Sequence, residues 1–121
     1  MARTRVFVYG TLKRGGSNHR FLTGQSFEGE AATLPRYRLY DRGPYPCLVD
    51  NESGVAVRGE VWAVDDATLR RLDEYEGVPT LYTRKEIALA GEPGPVLAYF
   101  YNGDVRGYPD CGDRWPAHSS S

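Results

Sequence analysis

The chain has 121 residues and a mass of 13.5 kDa, the size of a single domain. Apolar residues make up 40% of it, enough for a core, but no run approaches the roughly 20 apolar residues of a membrane-spanning helix. Fifteen basic and sixteen acidic side chains leave a net charge of -1, which argues against a surface that coats nucleic acid.

One domain is expected over residues 1–121, folded from about residue 3 to 118 with an irregular C-terminal tail. Arg5 to Tyr9 is an apolar run ended by Gly10, the pattern of a strand buried on both faces. A polar loop, Lys13 to Asn18, precedes a short helix predicted from Asn18, its N-cap, to Thr23, with Gly24 as the stop. Strands are predicted at 25–34, 37–41 and 45–49, separated by Pro35 and Gly43-Pro44. After the turn at 50–54, residues 55–64 read as a long strand with Val55, Val57, Gly59, Val61 and Ala63 on one face. Glu60 falls on the opposite face between Arg58 and Trp62, where a surface ion pair is expected. Asp65-Asp66 opens the strongest helix and Gly77 closes it. Strands at 82–89 and 96–101 follow, and Ser119 to Ser121 should fray. About seven short strands and one good helix make an α+β domain with a curved, barrel-like sheet.

Cys47 and Cys111 belong to no metal-ligand spacing, and His19 and His118 do not complete a zinc site with them. Cys47 lies in the apolar run Pro46-Cys47-Leu48-Val49, which points to packing rather than catalysis. The start of the chain carries only four apolar residues, Val6 to Tyr9, too few for the core of a signal peptide. A cytoplasmic protein with reduced thiols is therefore expected.

Two places can carry chemistry. The junction Val8-Tyr9-Gly10-Thr11-Leu12 can turn successive backbone N–H groups toward one anion. The stretch from Gly10 to Ser17 falls short of a phosphate loop, because Gly16 stands where the lysine is required. The alternative is an ordinary turn after a strand. On the helix, Leu69, Leu72 and Glu76 stand at i, i+3 and i+7, so Glu76 rides on the stripe that enters the core. Burial and the negative end of the helix dipole both raise the pKa of such a carboxylate, as proton transfer near neutrality requires. The alternative is a frayed last turn with Glu76 in water. Asp73 and Glu74 read as solvated. His19 reads as a loop residue rather than a base.

The segments Phe7 to Gly15, Asn18-His19, Gly59-Glu60-Val61-Trp62 and Leu72 to Gly77 together resemble the γ-glutamylcyclotransferase-like family, nearest its γ-glutamylamine cyclotransferase branch. The resemblance runs from about Val6 to Tyr101. It implies a small mixed β-barrel with flanking helices and one pocket at the barrel's mouth. It also implies that Tyr9, Gly10, Thr11 and Leu12 hold the glutamyl α-carboxylate through N–H groups and that Glu76 is the general acid/base. Tyr82, and less directly Tyr101, match pocket tyrosines. The reaction so implied uses no metal and no cofactor, takes a small γ-glutamyl substrate and releases 5-oxoproline from a monomeric enzyme. The competing expectation is a non-catalytic module that binds a γ-glutamyl or other carboxylate ligand. The leaving amine is expected along the loops at 42–46 and 77–80.

Overall fold

The computed structural model describes residues 3–43, 45–92 and 94–116. The readings for His118 and for Ser119 to Ser121 lie outside the described residues. Five strands form one mixed sheet: β1 (Thr4–Val8), β2 (Ser26–Ala32), β5 (Arg58–Val64), β6 (Tyr82–Glu86) and β7 (Leu97–Tyr101), in the order β2-β5-β1-β7-β6. Only β1 and β7 run parallel; the other neighbours are antiparallel. A separate hairpin is made by β3 (Tyr37–Asp41) and β4 (Pro46–Asp50). The sheet is twisted and not closed. Its edge strands approach only beyond their ends, through a bridge between Thr33 and Leu89, so the expected barrel is an open one.

Alternation along β1 divides the core. Phe7 and Tyr9 face one cluster with Leu39 and Leu48 of the hairpin, Val57, Val61 and Phe100. Val6 and Val8 face a second cluster with Leu12, Leu22, Trp62, Leu72 and Tyr99. The hairpin thus covers one face of the sheet, and helix α1 (Asp66–Glu76) with the 3-10 turn His19–Leu22 covers the other. A strand covered on both sides needs the unbroken apolar run that β1 has.

Three local readings change. Asn18 does not cap the 3-10 turn through its side chain; its amide reaches Tyr75 instead. Strand β5 has no solvent face beyond Arg58, since Gly59 to Val64 are all buried. Glu60 is therefore not a surface ion pair: it is 7% exposed beneath the loop after β1 and accepts from the Arg14 backbone N–H, the Arg14 Nε–H and the Trp62 Nε1–H. Asp73 is likewise no solvated residue. It is half-buried and accepts from the Tyr99 hydroxyl at 2.8 Å and from Arg84 at 2.6 Å, while Glu74 is exposed as expected. Cys47 and Cys111 are buried free thiols.

Candidate active site

The polypeptide leaves β1 at Tyr9 and turns at once, with the Lys13 N–H donating to the Gly10 carbonyl at 3.1 Å. Among the described residues, no acceptor in the chain takes the N–H groups of Gly10, Thr11 or Leu12. Three successive donors at the end of a strand, all in buried residues, form the kind of concave nest that accepts an oxyanion. Gly10 is fixed by space: a Cβ there would lie 2.6 Å from Pro46 Cγ. The hairpin loop can close on the cradle because residue 10 has no side chain.

Opposite the cradle is the last turn of α1. Asp65 caps the helix by accepting from the Thr68 N–H at 2.8 Å. Gly77 ends it in the left-handed conformation at φ 67°, where glycine carries no Cβ penalty. This termination leaves Glu76 as the final helical residue, partly buried, with no hydrogen bond or ion pair from its carboxylate to the described residues. Burial pushes its carboxyl up from 4.5 to about 7, with the nearby Arg42 guanidinium pulling the other way. A carboxyl with that value is charged and neutral in comparable amounts near pH 7, so it can both take and return a proton.

The two halves are tied together by Tyr75. Its hydroxyl lies 2.9 Å from Thr11 Oγ1 and accepts from Asn18 Nδ2 at 2.8 Å, and its ring packs against Phe21 at 4.8 Å. The residue before Glu76 is thereby bound to the cradle loop, which fixes the distance between anion site and carboxyl.

Tyr9, Gly10, Thr11, Leu12, Glu76 and Tyr82 line one concavity, together with Phe7, Val8, Tyr45, Pro46, Tyr75 and Tyr99. The space between these atoms amounts to about 350 Å³ when the open solvent at its mouth is included. The phenols of Tyr9 and Tyr82 are pushed well up, mainly by burial, so they stay protonated donors. They donate to the carbonyls of Tyr99 and Pro46. Tyr101 is not brought to the wall. It stands one layer behind, edge-on to Tyr82 at 5.5 Å.

Tyr75 was legible in principle, since it lies at i+3 from Leu72 on the buried stripe. Tyr99 and the orientation of Tyr45 had no local signal. His19 is the first residue of the 3-10 turn rather than a loop residue, with Nδ1 2.9 Å from the Leu12 carbonyl. Among the described residues, no cluster of three or more His, Cys, Asp or Glu side chains could hold a metal ion, and no helix is long and apolar enough to cross a membrane.

Comparison with known proteins adds the family to this geometry. The family profile described as "Gamma-glutamyl cyclotransferase, AIG2-like" matches residues 6–117. The chain belongs to this family. A Vibrio cholerae protein provisionally named a γ-glutamylcyclotransferase is 49% identical over 108 residues, which is 89% of this chain and 92% of that protein. The bovine γ-glutamylaminecyclotransferase is 43% identical over 106 residues, 79% of this chain and 63% of the bovine protein. The mouse AIG2-like crystal structure superimposes with a TM-score of 0.85 at 26% identity, covering 99% of this chain and 92% of the mouse chain. These relatives support both the family and its γ-glutamylamine branch.

Proposed function

We propose that this chain is a cofactor-independent γ-glutamyl cyclotransferase that converts a γ-glutamyl amide into 5-oxoproline and a free amine. The observation that carries the reading is Glu76: a carboxyl raised to about 7, without a hydrogen-bond or ion-pair partner among the described residues, lining the same concavity as three unpaired N–H groups. The names of the relatives point to the same reaction class.

The substrate's α-carboxylate occupies the N–H groups of residues 10–12. Its α-ammonium then faces Glu76, which takes a proton and frees the nitrogen lone pair. The amine attacks the γ-carbonyl carbon, the new N–C bond closes a five-membered ring, and the carbonyl electrons move to oxygen. On collapse the bond to the departing nitrogen breaks. Two protons leave the α-nitrogen over the whole reaction and two arrive at the leaving amine, which departs as its ammonium, with Glu76 as the relay. Anchoring the carboxylate removes the entropy of finding the ring-closing conformer, the largest saving available to an intramolecular reaction. The aromatic faces of the tyrosine walls suit an aliphatic glutamyl chain.

The test is 5-oxoproline release measured over γ-glutamyl amines, γ-glutamyl dipeptides and glutathione. Turnover of at least one class is expected. Binding of these compounds without release of 5-oxoproline would instead establish the carboxylate-binding module.

A further inference from the structure

The Glu76 carboxylate makes no hydrogen bond or ion pair to the described residues, and it stands on the final turn of α1, where a helix frays most readily. Its position is therefore set by its neighbours. Tyr75 ties the turn to the cradle loop. On the sheet side the tie is Asp73, three residues before Glu76 and on the same side of the helix.

Strands β6 and β7 pair in a register that sets Arg84 directly opposite Tyr99, so both side chains rise from one face of the sheet. That face lies under α1, where Tyr99 shares a cluster with Leu72. The Tyr99 hydroxyl donates to Asp73 Oδ1 at 2.8 Å, and the Arg84 guanidinium donates to Oδ2 at 2.6 Å. Each carboxylate oxygen thus has its own donor from its own strand. With both oxygens taken and a cation beside it, Asp73 is not a second base. Its backbone closes the helix, because its carbonyl accepts the Val78 N–H at 3.0 Å across Gly77. Tyr99 carries the path on to the cradle, since its carbonyl accepts the Tyr9 hydroxyl.

We propose that Asp73 is a positioning residue: held by Tyr99 and Arg84, it sets where the last turn of α1 places the Glu76 carboxyl relative to the cradle. The assignment rests on the cyclotransferase reading with Glu76 as the relay. Asp73 reaches the reaction only through Glu76. It should therefore govern kcat and the environment of that carboxyl, and have little effect on substrate capture by residues 10–12.

Arg84→Met and Tyr99→Phe in the full chain each remove one of the two donors. Arg84 does not line the concavity, so its replacement leaves the wall intact. With a γ-glutamyl amide that the wild type turns over, each variant should lower kcat by about tenfold or more and change KM by less than about threefold. Arg84→Lys keeps a cationic donor and should restore most of the lost kcat. The acid limb of kcat/KM is the second readout. A loosened last turn lets water reach Glu76, so in Arg84→Met its midpoint should drop from near 7 toward 4.5. Loss of the guanidinium charge alone would move it upward instead. The groups that face Glu76 from the other elements, Arg42 and the phenols of Tyr9 and Tyr82, stay the same, as does its helix neighbour Tyr75.

Wild-type kcat in both variants, a loss confined to KM or to thermal stability, or a midpoint that rises in Arg84→Met would overturn the positioning role and leave the cyclotransferase reading standing. A wild type that releases no 5-oxoproline from any γ-glutamyl amide would sink both.

Discussion

Glu60 and Glu76 are two carboxylates packed against the same short loop, and their surroundings give them opposite properties. Glu60 is enclosed, which alone would push it up, but two N–H groups of Arg14 and the indole of Trp62 outweigh burial and hold it below its ordinary 4.5. Glu76 is enclosed without any donor, and burial prevails, raising it to about 7. Burial pushes both carboxyls up, and the donors within reach decide which glutamate is nevertheless held charged. Glu60 holds the loop in place by its backbone and side chain at Arg14. Glu76 lines the same concavity as the loop's residues 10–12.

The widest break in this comparison is Glu76→Gln, which keeps shape and removes basicity. Its kcat for 5-oxoproline release should fall by about 10²–10⁴-fold. The same variant should be more stable than the wild type at pH 8, by roughly 1–3 kcal/mol, because the folded wild type must ionise a half-buried group there. A carboxyl whose folded pKa lies above its unfolded value costs stability as pH rises from about 4.5 through 7, so the advantage should vanish below pH 4.5 in thermal melts.

Glu60→Met should do the reverse. It strands the Arg14 N–H and the Trp62 indole N–H, and a loss of about 2–4 kcal/mol is expected in denaturant melts. Because the folded pKa of Glu60 is depressed, its contribution is present above the unfolded value and lost as pH falls through the folded one. KM should rise with it, since the cradle loop loses its anchor. A smaller effect is expected of Tyr75→Phe. It removes the hydroxyl between Thr11 and Asn18, costs about 1 kcal/mol, and lowers kcat/KM through the spacing of cradle and carboxyl. Smallest of all, Tyr101→Phe should change turnover of an alkylamine conjugate by less than about twofold, since its hydroxyl does not line the pocket and the ring that faces Arg42 is kept.

Residue patterns carried the elements on which the site depends. The apolar run of β1, the stop at Gly10, the Asp65 cap and the Gly77 terminus are local signals, and each places one end of the chemistry. Glu76 was legible because helical spacing puts it in register with Leu69 and Leu72. Glu60 was misplaced because alternation assumes one wet face, and the loop at 10–16 returns over that face of β5. Tyr101 shares the face of β7 with the wall residue Tyr99 but does not itself line the concavity. Tyr45 enters the site through the fold of the hairpin, from the loop at 42–46 that the sequence offered for the leaving amine.

In the proposed reaction Glu76 exchanges the proton that closes the ring. The direct measurement is the pH dependence of kcat/KM for a γ-glutamyl amide, wild type against Glu76→Gln, from pH 5 to 8. Loss of activity on the acid side with a midpoint near 7 in the wild type, absent from the residual activity of the variant, is the predicted result. A wild-type profile flat across that range, or the same acid limb retained in Glu76→Gln, would contradict it.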